Sequence, residues 1–539
     1  MKKITKLISI ALCVILCTGI FAGCGKNSEE TTKTTDGKNF TYWTVLNNYV
    51  MSAGLKSYNE LLLFQELEKR TGVHIDFLHP IEGSTGNEAF MTMISSSERP
   101  DMIQYYWGAY IGGPEQAIED EVIVCLNDYL EEHAPNYYDY LEGEKGKNND
   151  YLYKLQASTE KGNYYGFNAL SIGTTRSFQG IYARADKLKE WNMGVPETID
   201  EWTAALAKAK SDGFKKPLSF YSSTLSNLTG SISFSSAFNV GKYFYLDGDK
   251  VVFGPFEKGY KEYIAQLAEW TKLGYIDTGF VTNDTATVKG NIVNNISFAA
   301  YGYISAFSEL ETAGKNIDPD FALVACPFPV AQKGDTPDFG NVANEAIDMA
   351  IGISPECGNI EAAIEWCDYI YSEEGSTLRT FGIEGDTYTV ETIDGEEHFV
   401  YTDKILVPEN SGVTSITEAL YKYMLPGGHP GLNEHPDYLA GYYPFESQKN
   451  AVKVWNENVK VARKHLLPAL IYTEPEAVER TDLLAVAQDE LEVAITDIIL
   501  GRKDISTYDA AIEKAKVDGF NRVLEITQDA YDRYASKLK

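Results

Sequence analysis

Carboxylates and aromatic rings are the residues of this chain best suited to chemistry. Its 78 Asp and Glu residues leave room for the paired carboxylates that hydrolysis of a glycosidic bond requires. Glu345, following Asn344, and Glu384, in Gly382-Ile383-Glu384-Gly385, are the favoured candidates. In a binding cleft the same carboxylates would accept hydrogen bonds from hydroxyl groups instead. Aromatic residues make up 12% of the chain, with 36 tyrosines. That excess suits a wet, sugar-like ligand, because each tyrosine offers an apolar face and a hydroxyl. Trp43, Tyr106, Trp107, Tyr301, Tyr303 and Tyr388 are candidate platforms, and Asn344 can both donate and accept. Arg176 and Arg184 either meet an acidic sugar or pair with nearby carboxylates. Core packing is the competing reading for each of these side chains.

Metal and nucleophile chemistry have less to stand on. The seven histidines form no HExxH pair. His429, Glu434 and His435 lie close in sequence, but the Gly and Pro residues around them predict an exposed loop rather than a metal site. No GxSxG, P-loop or GxGxxG fingerprint occurs, so neither metal nor cofactor is expected. A net charge of −31 argues against nucleic acid as a partner, since that needs basic patches. Cys125, Cys326, Cys357 and Cys367 show no CxxC spacing. A Cys357–Cys367 or Cys125–Cys326 bridge would suit an export compartment, and buried free thiols suit a chain too long to need staples.

Positioning these residues takes alternating elements. Residues 40–45, 73–77 and 101–106 read as strands, and 59–70 and 88–97 as the helices between them. Strand, helix, strand, helix, strand is the signature of a parallel sheet. Ligands sit beyond the carboxyl ends of such strands, where Tyr106 and Trp107 fall. Strands at 164–168 and 180–184 open a second lobe, and Thr198 with Glu201 has capping-box spacing for the helix that follows. Further strands are expected at 296–302, 321–325 and 347–353, and helices at 260–273, 361–372, 481–500 and 506–516.

The start of the chain carries an export pattern: residues 1–6 are basic, and 7–22 are apolar with small residues at their end. That run is shorter than the roughly 20 residues a spanning helix needs. Phe21-Ala22-Gly23-Cys24 resembles a bacterial lipobox, which implies a signal peptide over 1–23 and lipidation of the Cys24 thiol. Residues 24–38 are polar and read as a tether.

Taken with the lipobox, several further stretches resemble the lipid-anchored extracellular solute-binding proteins of ABC importers, in the oligosaccharide-binding branch that includes alginate-binding proteins. They are Glu98-Arg99-Pro100-Asp101-Met102-Ile103, Tyr182-Ala183-Arg184-Ala185-Asp186 and Glu361-Ala362-Ala363-Ile364-Glu365-Trp366. Pro196-Glu197-Thr198-Ile199-Asp200-Glu201-Trp202, Ser372-Glu373-Glu374-Gly375, residues 381–388, residues 498–506 and Asp532-Arg533-Tyr534 complete the set. The resemblance implies an α/β, two-lobe, periplasmic-binding-protein-like fold with hinge crossings and a helical C-terminal region. It implies no catalysis, with hydrolysis as the alternative. It also implies a monomer at the extracellular face of the membrane that passes a sugar to a permease. On this reading residues 39–165 plus 295–345 form the first lobe, and 166–294 plus 346–539 form the second with the hinge. Many relatives carry an oxygen-rich calcium loop after the helix that Thr198 begins. Residues 210–217 here hold one carboxylate and three lysines, too few oxygens for calcium, so no such site is expected.

Overall fold

The computed structural model describes residues 37–536 apart from 81–85, 97, 150, 223 and 231. The signal segment 1–23, Cys24 and the tether up to residue 36 lie outside the described residues. Strands β1 (Asn39–Trp43), β2 (His74–Leu78), β3 (Met102–Tyr106) and β4 (Phe167–Ser171) come first. They are followed by β5 (Gln179–Arg184), β6 (Leu218–Ser219), β7 (Phe244–Asp247), β8 (Lys250–Phe253) and β9 (Ala299–Tyr303). The remainder are β10 (Leu323–Ala325), β11 (Ala346–Ile353), β12 (Tyr388–Ile393), β13 (Glu396–Tyr401) and β14 (Gly431–Asn433).

Two sheets organise two lobes. The first has the order β14-β4-β11-β3-β1-β2 and the second β10-β5-β9-β6. In the first sheet β1 pairs in parallel with β2 and β3, while β11 runs antiparallel between β3 and β4. Period-two alternation buries both faces of the sheet. Phe40, Tyr42 and Met102 enter the main core of this lobe, whereas Trp43, Ile103 and Tyr105 enter a smaller core with Phe90 and Trp107. The second sheet does the same, with Ile181 and Ala183 on one face and Tyr182 on the other.

Five strands change lobe relative to the sequence reading: β9 and β10 join the second sheet, and β4, β11 and β14 the first. β9 pairs with β5 and β6, so the chain does not return to the first lobe near residue 295. β11, assigned to the second lobe, is instead central in the first sheet. The physical reason is non-local pairing, since the partner that completes each ladder lies more than a hundred residues away. Three segments therefore cross between lobes: 172–178 from β4 to β5, 326–345 from β10 to β11, and the chain after β14. Helix Pro436–Tyr442 straddles the last crossing, with Tyr438 in the first core and Leu439 against the second lobe.

The C-terminal helices Glu474–Ile499, Tyr508–Ala515 and Asn521–Ser536 pack Leu491, Ile495, Ile512 and Val523 into the second lobe. The middle helix starts two residues later than Ser506 predicts, because Asp504 caps a short turn in front of it. The hairpin β12–β13, absent from the sequence reading, turns at Asp394-Gly395 with both residues at positive φ. Cys125, Cys326, Cys357 and Cys367 are free thiols. Residues 210–217 close helix Ile199–Ser211, where Asp212 accepts from Trp191 Nε1 (3.1 Å) and Lys216 pairs with Asp277 (2.8 Å). Among the described residues no cluster of three His, Cys, Asp or Glu groups could hold a metal, and no helix is long and apolar enough to cross a membrane.

Candidate functional site

The first-lobe face of the site lies at the carboxyl ends of β1 and β3. Beyond Trp43 the chain bends, and Asn47 caps helix Asn48–Ser52 by accepting from the Tyr49 amide (2.8 Å). The Asn47 amide donates to the Tyr58 hydroxyl (3.1 Å), and its Nδ2 lies 3.1 Å from His429 Nε2. Trp43, Asn47, Asn48 and His429, together with Asn87, Gln104, Tyr106 and Met349, border a hollow of about 900 Å³. Gln104 accepts from the Tyr42 hydroxyl and Asn87 from the Tyr105 hydroxyl, both at 2.7 Å. Tyr106, 53% exposed, lines it, and Tyr49, on the adjoining helix, packs against the Tyr421 ring.

His429 is not on an exposed loop. It is buried, and the loop is clamped by the fully enclosed Arg379 guanidinium, which donates to His429 O (2.9 Å), Leu432 O (2.7 Å) and Asn433 Oδ1 (2.9 Å). Burial, and then the Arg379 charge, push the His429 pKa down to about 3, so the ring is neutral. Burial likewise pushes Arg379 down to about 10.

A second hollow, of about 1040 Å³, opens where the crossings meet the second lobe. Arg176 and Phe178 border it from the first crossing, Gln179 from the start of β5, and residues 339–343 from the second crossing. Tyr303, 48% exposed, projects at the end of β9. Lys242 is buried here, with Nζ donating to Thr224 O, and burial pushes its pKa down to about 7.

The structure sorts the candidate residues. Trp43 and Tyr106 share the first hollow, and Arg176 and Tyr303 share the second. Trp107 does not contribute a platform. It is 0% exposed, packs edge-on against Phe90 and Tyr105, and donates Nε1 to Ala350 O (3.0 Å). Arg184 is buried away from both hollows, chelated by Asp186 (2.8 and 2.6 Å) and stacked on Phe321. Tyr301 is buried and its hydroxyl accepts from Asn341 (2.7 Å). Glu345 is buried in a charge cluster: Arg463 lies 2.5 Å away, Arg176 3.4 Å, and Gln156 donates to it at 2.9 Å. Arg176 also binds Glu434 (2.7 Å), so its donors are spent on the crossings.

Asn344 is half-buried beside the second hollow. Glu384 is exposed at the base of the β12–β13 hairpin, where Tyr388 packs on Phe381 and Phe399. Neither Glu384 nor Tyr388 lines either of these two hollows. Sequence reasoning missed Asn48, Asn87, Gln104 and His429 as residues of this hollow. The strand-end rule that picked out Tyr106 applies equally to residues 47–49, just past β1.

A two-lobed α/β body with crossings at strand carboxyl ends and an open cleft is the architecture of proteins that close around a small solute. The chain matches the family of bacterial extracellular solute-binding proteins over residues 55–377 and belongs to it. A fructooligosaccharide ABC transporter substrate-binding protein of Streptococcus pneumoniae is 24% identical over 356 residues, and the match spans 61% of each chain. The structure of a pneumococcal substrate-binding protein in complex with kestose superimposes with a TM-score of 0.70 at 19% identity, covering 93% of this chain and 100% of that one. An HMO-binding solute-binding protein from Bifidobacterium longum infantis gives 0.72 at 16% identity, covering 92% and 99%. An alginate-binding protein without calcium gives 0.69 at 18%, covering 92% and 97%. These likenesses establish the two-lobe fold.

Proposed function

We propose that this protein is a lipid-anchored receptor that captures an oligosaccharide and delivers it to an ABC permease. The observation that carries the reading is the pair of hollows, one at the carboxyl ends of β1 and β3 with Tyr106 exposed and one where the crossings meet the second lobe with Tyr303 exposed. Aromatic faces and amide groups are what sugar rings and hydroxyls require. The relatives named for fructooligosaccharide and alginate binding support a sugar as the solute. The Glu345 carboxylate is held by two guanidiniums and Glu384 lies off the cleft, an arrangement that favours capture over hydrolysis. Cys24 is the lipid attachment point and residues 24–38 the tether, on the strength of the lipobox pattern.

The test is a thermal-shift screen of the purified full-length protein against mono- and oligosaccharides. An oligosaccharide should raise the melting temperature and be recovered intact by mass spectrometry. Turnover of the sugar would overturn the receptor reading. Metabolic labelling with an alkynyl fatty acid should mark the wild type and not Cys24→Ser.

A further inference from the structure

The hollows differ from a random surface of this chain in charge. The protein carries a net charge of −31, yet among the described residues that border the first hollow there is no Asp, Glu, Lys or Arg. Its polar groups are carboxamides, tyrosine hydroxyls and a neutral imidazole. Gln104 and Asn87 use their carbonyl oxygens to accept from Tyr42 and Tyr105, which fixes their orientation; Gln104 Nε2 gives one N–H to the soft Met349 sulfur (3.2 Å) and keeps a second, and Asn87 presents its amide N–H groups as donors. Asn48 is exposed beside them.

The cations of the second hollow are not at a ligand's disposal. Arg176 is committed to Glu434, Glu345 and two backbone carbonyls. The Lys242 ammonium is turned to Thr224 O, and burial favours its neutral form. His465 gives its Nδ1 contact to Leu246 O (2.8 Å) and stacks on Phe339. Arg379, beneath the first hollow, is spent on three carbonyl oxygens and separated from it by the His429 loop.

An ionised carboxylate brought into such a cleft loses its hydration and finds no counter-charge. It also approaches against the repulsion of a strongly acidic protein. Neutral hydroxyls lose less and find both donors and acceptors. We propose that the cleft selects neutral oligosaccharides and rejects uronate-bearing ones, with Asn48, Asn87 and Gln104 reading ligand hydroxyls on the first lobe. This selection rests on the sugar-receptor reading and sharpens it, because Arg176 and Arg184, the candidate partners for an acidic sugar, are both consumed internally.

The experiment is calorimetry and thermal shift on the full-length protein with tetrasaccharides in neutral and acidic form. Nystose, xylotetraose and cellotetraose make up the neutral arm, and tetragalacturonate, tetramannuronate and the glucuronate tetramer the acidic arm. The expected result is stabilisation by a neutral tetrasaccharide with a Kd that changes less than about twofold between low and high salt, and no shift with any uronate. A uronate that binds more tightly than the neutral sugars, with affinity falling about tenfold or more on adding salt, would overturn the selectivity and leave the receptor standing. Silence across both arms would overturn the sugar reading and the selectivity with it.

Discussion

At the scale of single residues, neighbours in sequence hold opposite roles. Tyr105 on β3 and Trp107 just past its end pack in the same small core and are covered by Phe90, while Tyr106 between them is exposed. Trp107→Ala would remove a buried indole and its bond to Ala350, and should cost about 3–5 kcal/mol in urea unfolding. Tyr106→Ala should stay within about 0.5 kcal/mol of wild type and weaken sugar binding by calorimetry; equal binding would take Tyr106 out of the site. The alternation was legible in the sequence, but which face is covered was not, because the cover comes from a separate helix. His429 was legible only as a histidine in a Gly/Pro loop; the Arg379 clamp that buries it is 50 residues upstream. Its pKa is lowered from 6.5 to about 3, so the unfolded chain binds a proton that the folded protein refuses. That contribution to stability is complete above pH 6.5 and is lost as pH falls towards 3. His429→Asn should therefore make the pH dependence of unfolding free energy shallower below about pH 6, and an unchanged slope would refute the assignment.

At the scale of elements, the first βαβαβ unit was readable because its strands and helices have clean local periodicity and their parallel partners follow at once. The β12–β13 hairpin was readable too, since Asp394-Gly395 between alternating residues is a direct turn signal, and passing over it hid the placement of Glu384 and Tyr388. The lobe exchange of β9 and β11 was not readable, because nothing local in a strand names its partner. The crossings show the same limit. Glu345 on the second crossing contacts Arg176 on the first, Arg463 after the third, and Gln156 on a first-lobe helix, so four distant segments define it. Glu345→Gln would leave two guanidiniums beside a neutral amide in a buried place, and breaking such a pair costs about 3–5 kcal/mol. The expected loss in urea unfolding is of that order. A change near zero would mean the crossings are held by packing alone.

At the scale of the molecule, the two lobes share no sheet, and the chain passes between them at strand ends. Such a joint allows rigid-body closure about a few backbone torsions while each lobe keeps its core. Closure needs a ligand that contacts both lobes, because a solute with equal affinity for open and closed states shifts no population. On the proposed reading such a ligand would bridge the first hollow, with Tyr106, and the second, with Tyr303. An oligosaccharide able to bridge them should bind, stabilise the fold by about 2.7 kcal/mol at a hundredfold excess over Kd, and reduce the radius of gyration in small-angle scattering. A monosaccharide, reaching one hollow, should leave the radius unchanged even at saturation. Tyr303→Ala should uncouple the two effects, retaining weak binding through the first lobe while abolishing compaction. If the bridging sugar saturates the wild-type protein with no change in radius, the lobes do not close on it, and capture takes place on a single rigid surface.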